Sequence, residues 1–126
     1  MTEILKYDEA RDFDSIIELC RAEGWTKFFG EKREAFKKAL KVSESYSAFV
    51  DSEYAGFIRC ITDGYFTIYC CEMIVAEKFR RRRIGISLME KVRSEYPELC
   101  TDVISDNDDF YTADGFIILG NGMRKR

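Results

Sequence analysis

One stretch, residues 72–96, does most to constrain what this chain can fold into. It begins as an apolar run, passes through four consecutive arginines at positions 80–83, and continues with apolar side chains at helical spacing as far as Tyr96. This order predicts a strand, a positively charged loop and a helix that begins near Ile84. The first amide N–H groups of a helix have no partner inside it, and the helix dipole adds positive potential there. The stretch therefore predicts an anion-binding site at the start of this helix.

Charge and hydropathy narrow the classes of function. The net charge is −3 and the pI is about 5.1, which argues against a general nucleic-acid-binding protein. No apolar run approaches the length of a membrane span, and the N-terminus lacks the basic start and apolar core of a signal peptide. We expect a cytoplasmic protein, folded as a single domain over residues 1–126, that binds neither nucleic acid nor a membrane.

The inventory of reactive side chains excludes several mechanisms. The chain has five cysteines and no histidine. None of the cysteines forms a CxxC pair, so we expect no metal site. We expect the cysteines to pack as small apolar side chains in a reducing compartment. Without histidine, Ser-His-Asp and Cys-His hydrolysis are excluded. Any proton transfer must use carboxylates, tyrosine, lysine, cysteine or water.

The rest of the chain alternates between helical and strand-like patterns. Helices are predicted over about 13–23, 31–41 and 84–96, with Ser15 and Glu18 as a capping box at the start of the first. Strands are predicted over 3–7, 46–50, 54–61, 65–75, 99–104 and 115–119, and a short helix or turn over 106–114. This order predicts an α/β (α+β) fold: a mixed central sheet with helices on both faces, in which a three-stranded antiparallel meander is followed by helix, strand, helix and strand. The helical connection after 65–75 implies at least one parallel strand pair.

Several motifs, in their order and spacing, resemble one superfamily. Val75 ends the strand, Phe79 precedes the first arginine, and Gly85 stands three residues before Leu88. This spacing resembles the phosphate-loop pattern Q/R-x-x-G-x-G/A of the GNAT N-acetyltransferases. The sequence FYTADGF at 110–116 is similar to the family's FYxxxGF. Further short motifs resemble the branch that acetylates small molecules, namely GW at 24–25, GFIR at 56–59 and TDG at 62–64. The resemblance covers nearly the whole chain.

The phosphate loop departs from the family pattern at one position. In the register that we prefer, Arg83 stands where the motif has its first glycine, a residue that allows the backbone close approach to a pyrophosphate. An alternative register, Arg82-x-x-Gly85-x-Ser87, restores that glycine but lengthens the loop before it.

The resemblance implies that acetyl-CoA is the co-substrate. Strand 65–75 is then expected to splay from strand 99–104 and to pair its backbone with the pantetheine arm, while the helix start holds the pyrophosphate. One or two of the four arginines can instead be a solvated basic rim. The implied cofactor-binding residues are Met73, Ile74, Val75, Arg80, Arg81, Arg82, Arg83, Ile84, Gly85, Ile86, Ser87 and Asn107.

The resemblance also implies a catalytic tyrosine, and the sequence itself offers a candidate base. Tyr111, in the FYxxxGF motif, is expected to donate a hydrogen bond or a proton to the CoA sulfur, since a phenol and a thiol have pKa values of similar order. The alternative is a packed core tyrosine that anchors the last turn. Glu72 is the one charge inside an apolar strand and is the candidate base for the amine; the alternatives are an ion pair with an arginine such as Arg59 or exposure at a cleft edge. The candidate acceptor-binding residues are Trp25, Phe28, Phe29 and Arg59, with ordinary packing favoured for at least two of the three aromatic residues.

The sequence therefore predicts an acetyl-CoA-dependent N-acetyltransferase. Its acceptor is a primary amine of a small molecule, which attacks directly in a ternary complex without a covalent acyl-enzyme. The alternative is a non-catalytic acyl-CoA-binding or regulatory module on the same fold, and a nucleic-acid-binding domain is a third, more distant hypothesis. The identity of the amine is open, as is a possible homodimer.

Overall fold

A computed structural model describes residues 1–126, and a five-stranded sheet lies at its centre. The strands are β1 (Thr2–Lys6), β2 (Glu44–Val50), β3 (Glu53–Thr62), β4 (Thr67–Val75) and β5 (Cys100–Val103). The helices are α1 (Glu9–Ala22), α2 (Thr26–Phe29), α3 (Arg33–Val42), α4 (Ile84–Glu95) and α5 (Asp108–Ala113).

The sheet is mixed, as the sequence predicts. Its spatial order is β1-β2-β3-β4-β5, and each of the first three strands pairs antiparallel with the next. After β4 the chain crosses through α4 and returns as β5, which pairs parallel to β4. The strand with apolar residues on both faces, β4, therefore lies inside the sheet, where both of its faces are covered.

Helices cover the two faces of the sheet with separate apolar clusters. The α4 cluster joins Leu88, Met89 and Val92 of α4 to sheet residues such as Ile58 and Ile68. The α1 cluster joins Phe13, Ile16 and Ile17 of α1 and residues of α3 to Phe57 and Ile74 on the opposite face. The predicted arrangement of a mixed sheet between helices is confirmed, and the alternation of side chains along β3 and β4 decides which residue meets which helix.

The first helix begins earlier than its periodicity indicates. Asp8 is its N-cap and accepts a hydrogen bond from the backbone N–H of Arg11 at 2.9 Å. Ser15 lies inside the helix, so the predicted capping box is wrong. The physical reason is that Asp8, together with buried Asp12, which accepts from the N–H of Asp8 at 3.0 Å, already satisfies the first amides.

The predicted last strand is also wrong. Residues 115–119 form no strand, the sheet ends at β5, and Ile117, Ile118 and Leu119 are all more than 70% exposed. A groove of about 980 Å³ is lined by both β5 and this segment. An apolar run forms a strand only where it packs and pairs against a neighbour, and here the groove separates the run from the free edge of β5.

Hydrogen bonds in the preceding turn explain why β4 begins later than predicted. Strand β4 begins at Thr67 rather than at residue 65, because Asp63 Oδ1 accepts from the backbone N–H groups of Tyr65 and Phe66 and holds them in a loop.

No helix is long and apolar enough to cross a membrane.

Candidate functional site

Strands β4 and β5 diverge, and this leaves part of β4 without a neighbour. They pair from Thr67–Cys100 to Cys70–Val103, where β5 ends, while β4 continues to Val75. The N–H of Ala76 donates to the carbonyl oxygen of Ala55 in β3 at 2.8 Å. Because peptide groups alternate in direction along a strand, those of Val75 and Met73 point to the open edge. The structure thus brings Met73, Ile74 and Val75 to the edge where the resemblance implies a pantetheine arm.

The open edge leads directly to the start of α4. After a 3₁₀ turn at Glu77–Phe79, the arginine loop runs to Arg83, which is the N-cap and makes no side-chain capping hydrogen bond. The first intrahelical bond is from the N–H of Ser87 to the carbonyl of Arg83 at 3.0 Å. The N–H groups of Ile84, Gly85 and Ile86 therefore have no acceptor within the helix, which is the geometry that binds an anion.

The four arginines differ in what they do. Arg81 and Arg83 have φ values of +66° and +61°, a left-handed conformation that favours glycine. This agrees with the register that places Arg83 at the first glycine of the motif. The guanidinium of Arg82 lies 5.6 Å from the centre of the Phe79 ring. Arg80 is tied to the protein: its Nε donates to the carbonyl oxygen of Val75 at 3.0 Å, and it forms an ion pair with Glu23.

Packing between α4 and α5 leaves little room for a side chain at Gly85. A Cβ at this position would lie 3.1 Å from Cζ of Phe110 and 3.4 Å from Cε of Met73. At the start of α5, the side chain of Asn107 accepts from the N–H of Phe110 at 3.2 Å and so acts as its N-cap. A contact of Asn107 with CoA stays a prediction.

Tyr111 is buried in the α4 cluster, near the point where the strands diverge. Its ring packs edge-to-face on Phe110 and Phe116, with ring centres 5.0 and 5.3 Å apart. Burial raises the pKa of the phenol above its ordinary value, and the neighbouring Cys70 thiol and Asp106 carboxylate raise it further. The phenol therefore keeps its proton at neutral pH and is available as a donor.

Glu72 is held by Arg59 on the neighbouring strand. Arg59 Nε and Nη2 lie 2.6 and 2.7 Å from the two carboxylate oxygens, and the side chains are 16% and 9% exposed. Arg59 also donates to Ser43 Oγ at 3.2 Å. Burial lowers the pKa of Arg59, but its hydrogen bonds and charge interaction with Glu72 outweigh this and raise it. The ion pair that the sequence left open as an alternative is therefore present.

A β-bulge decides which way Glu72 points. Arg59 pairs with Glu72 and Cys60 pairs with Cys70, so Cys71 is an extra residue in β4. Cys70 belongs to the α4 cluster, whereas Glu72 faces α1. There its charge adds to burial, the larger cause, in raising the pKa of the Cys20 thiol to about 12. Glu72 and Tyr111 thus lie on opposite faces of the sheet.

The aromatic candidates for acceptor binding pack α2 against the α1 cluster. The rings of Trp25 and Phe28 are 5.4 Å apart, and Phe28 meets Phe36 of α3 edge-to-face at 4.9 Å. Phe29 lies under the guanidinium of Arg21 at 4.5 Å. Of the four acceptor candidates, the structure brings only Arg59 into contact with Glu72.

Sequence reasoning missed the contact between Glu23 and Arg80. Glu23 is the C-cap of α1, and with Arg80, Val75 and Leu19 it lines a cavity of about 110 Å³ between α1 and the end of β4. No local pattern signals this contact, since the two residues are 57 positions apart in the chain. No cluster of three or more Cys, Asp or Glu side chains is arranged to hold a metal ion.

Comparisons with known proteins agree with this geometry. A family described as an acetyltransferase (GNAT) domain matches residues 41–118. No curated protein matches the sequence. Among solved structures, a GNAT-family acetyltransferase from Streptococcus pneumoniae TIGR4 is 28% identical, with a TM-score of 0.83 over 100% of this chain and 98% of that one.

Two structures with bound ligands share the fold at lower identity. The PaiA N-acetyltransferase of Thermoplasma acidophilum, in complex with coenzyme A, is 20% identical, with a TM-score of 0.76 over 94% of this chain and 91% of that one. The enzyme AAC(6')-Iy, in complex with a bisubstrate analogue, is 17% identical, with a TM-score of 0.76 over 100% of this chain and 97% of that one. With the family match spanning more than half of its residues, the chain belongs to the GNAT acetyltransferases.

Proposed function

We propose that this protein is an acetyl-CoA-dependent N-acetyltransferase that acts on a primary amine of a small molecule. One observation carries the proposal: an open strand edge leads into a helix start with free N–H groups, and it is flanked by a carboxylate on one face of the sheet and a phenol on the other. Support also comes from the two related structures, one of which holds coenzyme A and the other a bisubstrate analogue.

The donor would be held by backbone groups more than by side chains. The N–H groups of Ile84, Gly85 and Ile86 suit a pyrophosphate, and the positive charge of the arginine loop adds attraction. The peptide groups of Met73 and Val75 suit the amides of a pantetheine arm, which would extend the sheet in the manner of a strand.

The chemistry needs two proton transfers, and each has a candidate residue. The amine nitrogen attacks the thioester carbonyl carbon, so an N–C bond forms and the C–S bond breaks. Glu72, directly or through water, accepts the proton that the amine loses. Tyr111 gives its proton to the departing sulfur, and this proton is restored from solvent. The positions of the two residues on opposite faces suit an acceptor and a donor that approach from opposite sides, with no acyl-enzyme between them.

A thiol-release screen tests the proposal. The protein is mixed with acetyl-CoA and a library of small primary amines, and free CoA is measured with a thiol reagent. We expect turnover with at least one class of amine and an acetylated product of the matching mass. Hydrolysis of acetyl-CoA without any acetylated amine would contradict the proposal.

The Arg59–Glu72 contact favours a second candidate function. A carboxylate that already accepts two hydrogen bonds from a partly buried guanidinium is suited to a structural role. On this alternative the protein is a non-catalytic acyl-CoA-binding or regulatory module. Binding of acetyl-CoA with no turnover across the amine library would support the module over the enzyme.

A further inference from the structure

The side chain of Arg80 contacts a backbone carbonyl that the acetyl donor, acetyl-CoA, is expected to use. Its Nε donates to the carbonyl oxygen of Val75 at 3.0 Å. That carbonyl faces the open edge of β4, where the peptide groups of Met73 and Val75 have no partner strand. A pantetheine amide N–H and the Nε–H of Arg80 are both donors, so the two compete for this carbonyl oxygen at the open edge.

Glu23 holds Arg80 in that position from the other side of a cavity. Nη2 of Arg80 forms an ion pair with Oε1 of Glu23, at the C-terminal end of α1. The two side chains are about half and one third exposed, so the contact is within reach of a charged ligand. A pyrophosphate at the start of α4 would offer the guanidinium a more highly charged partner than one carboxylate.

Glu23 also connects its ion pair with Arg80 to the face of the sheet where Glu72 lies and where the acceptor amine is expected. Both Glu23 and Glu72 act on the thiol of Cys20, whose pKa their charges and, above all, burial raise to about 12. Glu23 also lines a cavity with Ile74, which faces α1 on the same side of β4 as Glu72, so both carboxylates lie toward the face of the sheet opposite Tyr111. A freed Glu23 would place a negative charge at the edge of that face, where it suits the ammonium group of an amine before deprotonation.

We propose that Arg80 and Glu23 form a latch that the donor opens: binding of coenzyme A transfers Arg80 from Val75 and Glu23 to the phosphates, and Glu23 then binds the cationic acceptor amine. This inference rests on the proposed function and deepens it, because it assigns a residue to the acceptor and couples the two substrates. Arg80 and Glu23 are positioning and binding residues, and they take no part in proton transfer.

Calorimetry with coenzyme A tests the latch. Glu23→Gln removes the ion pair, so we expect it to bind coenzyme A roughly twofold to fivefold more tightly than the wild type. The matched control is Glu77→Gln, which removes an exposed carboxylate that lines the same cavity and is expected to change the affinity less. Affinity of Glu23→Gln equal to that of Glu77→Gln would overturn the latch.

A double-mutant cycle separates the latch from general electrostatics. If Glu23 acts through Arg80, the gain in affinity from Glu23→Gln disappears in an Arg80→Ala background. A gain that persists there would overturn the latch. If none of the variants nor the wild type binds coenzyme A, the proposed function itself fails, and this outcome is distinct from binding that is insensitive to Glu23.

Steady-state kinetics test the assignment of Glu23 to the acceptor. With an amine identified by thiol release, Glu23→Gln should raise the KM for the amine roughly tenfold or more, since a charged hydrogen-bond partner is lost. The same variant tightens donor binding, so its effects on the two substrates have opposite signs. A merely structural role for Glu23 would weaken both, and an unchanged KM for the amine would overturn its assignment.

Discussion

At the scale of single residues, the arginine loop carries the clearest sign of strain. Arg81 and Arg83 both have positive φ values, although neither is a glycine. A left-handed conformation brings the Cβ of an L-residue close to its own peptide and costs about 1–2 kcal/mol. Strain of this kind persists where the surrounding structure requires it, and here it shapes a loop that ends in free helix N–H groups.

We predict that Arg83→Gly is about 1 kcal/mol more stable than Arg82→Gly. Both variants lose an arginine side chain and gain the same freedom in the unfolded chain, but only Arg83→Gly relieves a left-handed conformation. Urea unfolding of the two variants measures the difference. Equal stability would show that the positive φ of Arg83 carries no cost.

The second prediction at this scale concerns Tyr111. Tyr111→Phe keeps the ring in its packed position and removes the acidic proton, so we expect kcat to fall roughly 10²-fold with little change in the KM for acetyl-CoA. The control is Tyr65→Phe, which alters an 88% exposed tyrosine in a loop and should leave turnover unchanged. An unaltered kcat in Tyr111→Phe would exclude this residue as the proton donor.

At the scale of elements, side chains rather than loops tie the helices to the sheet. Glu44 at the start of β2 accepts from the hydroxyl of Tyr96 at the end of α4, at 2.7 Å, and from Lys6 of β1 at 3.0 Å. Burial tends to raise the pKa of Glu44, but these two hydrogen bonds lower it below its ordinary value. The carboxylate thus fixes the C-terminal end of α4 on the sheet.

We predict that the stabilisation from Glu44 depends on pH. Because its pKa is lower in the folded state, the stabilisation is present above the ordinary glutamate pKa of about 4.3 and is lost as the pH falls through the folded value. Glu44→Gln should therefore be roughly 1–2 kcal/mol less stable than the wild type at pH 7, and the difference should shrink below about pH 4. Urea titrations at several pH values measure it, with exposed Glu98→Gln as the control. A difference that does not change with pH would contradict this account.

A close approach between two helices gives a further prediction. Gly85→Ala puts a methyl group 3.1 Å from the Phe110 ring, so we expect a loss of about 1–3 kcal/mol in the free energy of unfolding from overpacking. Gly120→Ala is the matched control, because a Cβ there meets nothing within 4 Å. The midpoints of thermal unfolding of Gly85→Ala and Gly120→Ala measure the difference. Equal midpoints would show that α5 moves aside at no cost.

At the scale of the whole molecule, the sheet is continuous at one end and open at the other. The five strands pair fully near the start of β4, and β5 leaves after four residues. The helices on the two faces hold β4 in place where it has no neighbour on one side. A ligand that adds hydrogen bonds along this edge would complete the sheet and stabilise the whole fold.

We predict that coenzyme A raises the midpoint of thermal unfolding. A ligand at 100 times its Kd contributes about 2.7 kcal/mol, which corresponds to a shift on the order of 10 °C for a chain of this size. ADP, which carries a pyrophosphate but no pantetheine arm, should give a smaller shift. The absence of a shift at millimolar coenzyme A would contradict donor binding at this site.

The prediction of the fold from sequence succeeded where the signal is local. Apolar periodicity located α4, the hairpin strands and β5, and the strand-loop-helix order located the helix start at Ile84. It failed for residues 115–119, because an apolar run does not report whether it will pair with a free sheet edge such as that of β5. It also misplaced the start of α1, since several polar residues there compete as caps.

What the sequence determined by itself is the order of the strands as far as β5, the family and the position of the arginine loop before α4, since periodicity and motif spacing are properties of neighbouring residues. Only the tertiary structure decided that Glu72 faces α1 and is held by Arg59, because one extra residue at Cys71 reverses the alternation of β4. It alone brought Arg80 to Glu23. Such contacts depend on how distant strands and helices pack, and no local pattern encodes that packing.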